Sequence, residues 1–158
     1  MMVVVDEKND RLIVTDRDKL VFFDSSPPYK MRQCTEPRSQ CYCSGRERTK
    51  LYILGMVFDP ESYSLIAVDH IFHRVLRISS DGETFMELLG KNGLLCYPVS
   101  IVIDERGRRW VTDRDHHCVR TFDRDFNLLF SMGSEGSGPE QLSSPTGMAI
   151  DPALREQA

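Results

Sequence analysis

The chain repeats one pattern of apolar runs and aspartates three times. The three copies extend from Val3 to Asp24, from Met56 to Ser79 and from Ile101 to Asp123. Each has an apolar triplet, an Asp, a polar turn, an apolar run that ends near a second Asp, another turn and a third alternating run. A fourth copy starts with the letters MAIDP at Met148. A repeat of this kind builds one supersecondary unit several times and packs each unit on the next.

The spacing of the copies indicates which unit is repeated. Their first aspartates are Asp6, Asp59, Asp104 and Asp151, which gives steps of 53, 45 and 47 residues. Repeats in the forties to about fifty residues are typical of β-propeller blades. The apolar runs are short, rich in Val, Ile, Leu and Phe, and bounded by turns, and a fourth apolar piece follows the third run, as in residues 127–133. The sequence therefore predicts an all-β fold of four-stranded blades.

The clearest copy and the start of the next, from Tyr97 to Pro152, resemble the NHL repeat. That pattern has P-x-G, an apolar triplet, D-x-x-G, an apolar pair before an Asp, an R-V-x-x-F run and an F-G-x-x-G-x-G connection. The matching residues are Pro98, Asp104, Gly107, Val111, Asp113, Val119, Phe122, Gly133, Gly136, Gly138, Pro145 and Gly147. Ser100 stands in place of the Gly of P-x-G, and His116 or His117 takes the place of the usual Asn. The resemblance implies a partial β-propeller of NHL-type blades.

We expect about three blades plus one strand, as a fragment of a larger ring. The predicted divisions are 2–54, 55–98 and 99–146 for the blades and 147–158 for the first strand of a further blade, with a long connection at about 34–50. Each blade of a closed propeller packs on a neighbour at both faces, so an open arc leaves two apolar faces uncovered. The remaining blades are expected from a longer chain or from a partner chain.

Composition and charge exclude some classes of function. The formal net charge of −4 argues against a generally basic nucleic-acid binder. The apolar run MMVVV is too short for a secretory signal, and no run is long enough for a membrane helix. The five cysteines are an odd number, and no N-x-[ST] site is present. These features predict a cytoplasmic protein.

The sequence predicts no catalytic residue, no cofactor and no metal. The strand-end aspartates Asp16, Asp69 and Asp113 are interpreted as structural caps that accept backbone N–H groups of the following turn. A zinc site is the alternative for the loop from Cys34 to Cys43, but zinc sites take four ligands and this loop offers one close Cys pair. No nucleophile elbow, P-loop or metalloprotease motif is present.

The arginines supply the candidate binding surface. Residues 105–125 contain six Arg and five acidic residues, although the chain as a whole is acidic. Guanidinium groups bind carboxylates and phosphates, and propellers bind through the loops of one rim. The alternative is a solvated rim of ion pairs. The predicted partner-binding residues are Arg17, Arg74, Arg114, His116, His117 and Arg120.

The resemblance extends to the NHL region of the tripartite-motif E3 ubiquitin ligases. It implies a protein-interaction scaffold that selects a partner or a ubiquitination substrate, with any ligase activity supplied by a RING region outside these residues. RNA binding through the Arg-bearing rim is the alternative that the same group implies, and the acidic net charge disfavours it. A third reading is a fragment of an enzyme similar to the amidating lyases, which have similar blades.

The opening of the third copy gives the sharpest structural expectation. Side chains alternate along a strand, so Trp110 and Val111 are predicted to lie on opposite faces. Val111 and Phe122 are predicted to be core residues. His116 and His117 are predicted to lie exposed in the turn between two strands and to be dispensable for folding.

Overall fold

A computed structural model of the chain describes residues 2–16, 19–35, 38–43, 46–90 and 93–151, with the backbone alone at 35, 38–43 and 46–50. Its strands are β1 (Met2–Asp6), β2 (Arg11–Asp16), β3 (Lys19–Asp24), β4 (Met31–Thr35), β5 (Arg38–Cys43), β6 (Arg46–Lys50), β7 (Ile53–Asp59), β8 (Ser64–Asp69), β9 (Arg74–Ser79), β10 (Phe85–Leu89), β11 (Pro98–Ile103), β12 (Arg109–Asp113), β13 (Cys118–Phe122) and β14 (Leu128–Met132). One short 3-10 turn, Glu7–Asn9, follows β1.

Twelve of these strands form three antiparallel four-stranded sheets. Sheet I has the order β1-β2-β3-β4, sheet II the order β7-β8-β9-β10 and sheet III the order β11-β12-β13-β14. Within each sheet, consecutive strands are neighbours, as expected for short strands joined by tight turns. The all-β fold of repeated four-stranded units is thus confirmed.

The long connection after the first sheet has secondary structure of its own. Cys34 lies in β4, and β5 pairs with β6 in a two-stranded antiparallel sheet. The sequence predicted a long connection at about 34–50, and the structure places the β5–β6 pair within it, while the predicted blade divisions stay a prediction. Alternating polar residues and Cys in this segment gave no apolar pattern from which to recognise strands.

The core lies between the sheets, in two layers. Residues from sheets I and II form the first layer, among them Ile13, Phe22 and Leu65. The second layer joins sheets II and III and contains Val111 and Phe122, both fully buried. Because side chains alternate, successive residues of β8 supply the two layers in turn. The prediction that Val111 and Phe122 are core residues is confirmed.

The inner strands β7 and β11 approach each other closely. A Cβ placed on Gly55 would lie 2.6 Å from the carbonyl oxygen of Val99 and 2.7 Å from the Cα of Ser100. Only glycine fits at such a distance between two backbones. Polar contacts add to this packing, since Arg109 Nη2 donates to Asp59 Oδ2 at 3.1 Å across sheets II and III.

Candidate partner-binding rim

The ends of the strands form two rims. We call upper rim the side on which β7 and β11 begin, with the turns at 70–73 and 114–117. The lower rim carries the turns at 60–63, 80–84, 104–108 and 123–127. The upper rim holds every described residue of the predicted partner-binding set.

Asp69 organises the upper rim of sheet II. Its buried carboxylate accepts a hydrogen bond from the backbone N–H of Tyr52 at 3.3 Å and two from Arg74, at 3.1 and 3.0 Å. Arg74 also lies 3.4 Å from Glu87 Oε2. Burial raises the pKa of Asp69, and the Arg74 guanidinium opposes that rise. Arg74 is only 4% exposed, so its guanidinium pairs with these carboxylates and is not presented to solvent.

Asp113 has the same role in sheet III. Its Oδ1 accepts from the backbone N–H of Cys96 at 2.7 Å, and its Oδ2 accepts from Arg120 Nε at 2.6 Å and His116 Nδ1 at 2.8 Å. Cys96 and Tyr52 both precede an inner strand. The aspartates therefore hold the segment that leads into the inner strand. The sequence predicted hydrogen bonds to the turn that follows each Asp and did not predict this contact.

The two networks take their arginine from different positions. Arg74 is the register partner of Asp69, whereas the register partner of Asp113 is Cys118. Cys118 is buried and cannot neutralise a carboxylate. Arg120, two residues further along β13 on the same face, supplies the guanidinium instead.

Two histidines hold the loops next to them. His73 and His117 both have a left-handed backbone, with φ of 53° and 54°. The Nδ1 atom of His73 accepts from the backbone N–H of Tyr97 at 2.8 Å, and that of His117 accepts from Ser144 at 3.1 Å. His117, one of the two candidates for the usual Asn position, combines a side-chain acceptor with a left-handed backbone, and both suit a turn. His116 is exposed as predicted, while His117 is half-buried, which the prediction missed.

Exposed aromatic residues lie beside these histidines and were not predicted from the sequence. We call aromatic patch the exposed Tyr52 and Tyr97 together with the buried His70 and the half-buried His73 beside them. Ring centroids are 6.3 Å apart for Tyr52 and His70, 5.0 Å for His70 and Tyr97, and 4.3 Å for His73 and Tyr97. The signal was available, because Tyr52 and Tyr97 hold the same position before an inner strand in two copies of the repeat.

The remaining predicted binding residues carry little free charge. Arg114 lies 3.2 Å from Asp115, and Arg120 is mostly buried against Asp113. Arg17 lies outside the described residues. The structure brings His116 and Arg120 together and leaves Arg74 buried in the neighbouring sheet. Of the five predicted residues that the structure describes, Arg74 alone is buried, and partner binding by this set stays a prediction.

The described residues contain no group of three or more His, Cys, Asp or Glu side chains able to hold a metal ion. Cys34 is exposed and free, and the side chains of Cys41 and Cys43, needed for the zinc alternative, lie outside the described residues. Burial raises the pKa of the Cys96 and Cys118 thiols. No helix among the described residues is long and apolar enough to cross a membrane.

Comparison with known proteins agrees with this geometry. Residues 95–122 match the NHL repeat. The match covers β11 to β13, with Asp113 and its partner Arg120. The three stacked four-stranded sheets are those of a partial β-propeller, and the match to the NHL repeat lies in sheet III and the residues that lead into it. The comparison with curated proteins gives no match.

Solved structures share the fold at low sequence identity. A protein of unknown function from Bacteroides thetaiotaomicron VPI-5482 is similar with a TM-score of 0.66 and 16% identity over 91% of this chain and 40% of its own. A streptogramin B lyase has a TM-score of 0.60 and 13% identity, over 91% of this chain and 42% of its own. A virginiamycin B lyase from Staphylococcus aureus has a TM-score of 0.57 and 14% identity, over 80% of this chain and 39% of its own. This chain therefore spans about two fifths of the length of these structures.

Proposed function

We propose that this chain is part of a propeller that recognises a protein partner through the upper rim. The observation that carries the proposal is the aromatic patch, where Tyr52 is 45% and Tyr97 is 36% exposed while neighbouring histidines fix their surroundings. Tyrosine is enriched at protein interfaces, because it offers a large rigid contact area and a polar tip. NHL propellers generally mediate protein interactions, which supports the same function.

The charges of the upper rim favour a protein over RNA. RNA binding draws its affinity from cations that neutralise phosphates. Here Arg74 is paired with Asp69, Arg120 with Asp113 and Arg114 with Asp115. A phosphate would have to displace the buried carboxylates from Arg74 and Arg120, while the exposed Arg114–Asp115 pair opens at little cost. The acidic net charge of the chain adds to the cost of binding RNA.

The finer part of the proposal concerns the partner. By resemblance to the tripartite-motif ligases, the partner is a ubiquitination substrate, and a RING region outside these residues supplies the catalysis. Purified chain mixed with E1 and E2 enzymes is then expected to form no polyubiquitin. Polyubiquitin formed by this chain alone would contradict that division of labour.

Site-specific crosslinking tests which rim binds. A photoreactive phenylalanine analogue is placed at Tyr97 in the protein as expressed in cells, and a matched control places it at Tyr63, a 44% exposed tyrosine of the lower rim. We expect protein adducts from position 97 and few from position 63. Adducts from position 63 alone, or adducts to RNA alone at position 97, would overturn the proposal.

A further inference from the structure

We propose that the aromatic patch binds an uncharged, proline-containing segment in the extended polyproline II conformation. The inference rests on the proposed function of the upper rim and adds the chemical class of its ligand. Three properties of the patch lead to it: contacts within the fold hold the rings of His70, His73 and Tyr97, the two tyrosine hydroxyls are available, and the neighbouring charge is neutralised.

The rings are held in place by the fold. His70 Nδ1 lies 3.1 Å from the carbonyl oxygen of Pro98, so His70 is fixed against the start of β11. The ring of Tyr97 packs on His73 at 79°, an edge-to-face contact, while the backbone of Tyr97 is bonded to the Nδ1 of the same histidine. A fixed aromatic surface loses little conformational entropy on binding. It suits a ligand that is itself stiff, and polyproline II segments are stiff before they bind.

The tyrosine hydroxyls are available to a ligand. Neither the Tyr52 nor the Tyr97 hydroxyl has a hydrogen-bond partner among the described residues, where the hydrogen bonds of both residues are made by backbone atoms. A polyproline II segment makes no internal hydrogen bonds, so its carbonyl groups remain free to accept. Aromatic-lined surfaces recognise such segments by placing proline rings against the aromatic faces. Tyr52 and Tyr97, on either side of His70, provide two such contacts with a hydroxyl donor each.

Charge complementarity selects an uncharged ligand. Arg74 follows the turn of the patch directly, but it is buried and paired with Asp69 and Glu87. The Asp69 carboxylate is likewise fully buried. An acidic or phosphate-bearing ligand would leave its charge without a counter-charge here, whereas a proline-containing segment brings no charge.

Fluorescence anisotropy with defined probes tests the inference. The full chain is titrated against labelled decaproline, with a Gly-Ser peptide of equal length and a decauridine RNA as comparison probes. We expect decaproline to bind and the other two to bind at least about tenfold more weakly. Affinity for decaproline should be unchanged between about 0.05 and 0.5 M salt, because no ion pair forms.

Matched variants locate the site. Tyr97→Ala and Tyr52→Ala should each weaken decaproline binding by about tenfold, the loss typical of an aromatic residue central to an interface. Tyr97→Phe keeps the ring and the fold and should weaken decaproline binding about threefold, because it removes the hydroxyl. Tyr63→Ala, on the lower rim, should bind decaproline like the parent. Thermal melting of each variant shows whether it remains folded.

The outcomes separate this inference from the proposed function. Absence of decaproline binding, or binding indifferent to Tyr52→Ala, Tyr97→Ala and Tyr97→Phe, overturns the inference. If protein crosslinks at position 97 persist in that case, the proposed function stands without it. Preferential binding of decauridine, lost in Tyr97→Ala, would overturn both.

Discussion

Sheets II and III have the same strand pattern but differ in how many of their faces are covered. Sheet II lies between two other sheets, and every residue of its strand β8 is buried. Among the described residues, sheet III has a neighbouring sheet on one side only. Every residue of its outer strand β14 is exposed, whereas the equivalent strand β10 of sheet II keeps Leu89 buried and Phe85 and Leu88 half-buried. The repeat therefore encodes a sheet with two packing faces, and the burial of each face depends on the neighbour.

The uncovered faces at the two ends of the arc are apolar. On sheet I, Val3 and Val5 are 52% and 53% exposed. On sheet III, Trp110 packs edge-to-face on Phe130 with ring centroids 5.5 Å apart, and Phe130 is 41% exposed. Further blades from a longer chain or a partner chain would cover such faces, and this remains a prediction.

The largest effect that tests the comparison comes from two phenylalanines of sheet III. Phe122 faces sheet II and is fully buried, while Phe130 lies on the uncovered face. Phe122→Ala is expected to lower the free energy of unfolding by about 3–5 kcal/mol, because it leaves a cavity between two sheets. Phe130→Ala should cost less than about 1 kcal/mol in this chain.

Chemical denaturation of both variants measures the difference. Equal losses for Phe122→Ala and Phe130→Ala would mean that the face of Phe130 is covered in solution. If Phe130→Ala costs less, as expected, adding a segment that supplies further blades should raise the cost of Phe130→Ala while leaving that of Phe122→Ala unchanged.

A smaller loss is expected at the contact between inner strands. Gly55→Ala would press a methyl group against the backbone of Val99 and Ser100, which cannot move without separating β7 from β11. We expect a loss of about 1–3 kcal/mol, the usual cost of overpacking. Gly147→Ala is the control, since a Cβ there meets nothing within 4 Å. A Gly55→Ala variant as stable as the control would show that these inner strands are further apart in solution.

Ion pairs across the same two sheets provide the next comparison. Asp59 and Arg109 form a buried pair at 3.1 Å, and Glu61 and Arg124 form an exposed pair at 2.7 Å. Double-mutant cycles with Asp59→Asn and Arg109→Met should give a coupling energy of about 1–2 kcal/mol. The exposed pair should give less than about 0.5 kcal/mol, because solvent screens it. A larger coupling for the exposed pair would contradict the packing of sheets II and III described above.

The repeat made the strands and the core predictable, because alternation assigns each residue to a face. Val111 and Phe122 were found in this way. The burial of Arg74 was not, since it depends on the cross-strand register that places Arg74 opposite Asp69. The equivalent positions of Tyr52 and Tyr97 could be read from the repeat, but the contact of Tyr97 with His70 could not, because only the stacking of sheets II and III brings these two residues together.

The smallest expected effect is a pH-dependent one on the uncovered side of sheet III. Trp110, the only Trp in the chain, donates from Nε1 to Asp104 Oδ2 at 3.0 Å. Burial alone would raise the pKa of Asp104, but the hydrogen bonds from Trp110 and Arg108 lower it below its ordinary value of 3.8. A lowered pKa means that ionised Asp104 stabilises the fold fully above that ordinary value. The contribution is lost as the pH falls through the lowered pKa.

Trp fluorescence should therefore titrate with a midpoint below 3.8, while circular dichroism at the same pH shows whether the sheets persist. Asp104→Asn should abolish the titration, and a parent midpoint above 3.8 would show that Trp110 and Arg108 do not hold this carboxylate.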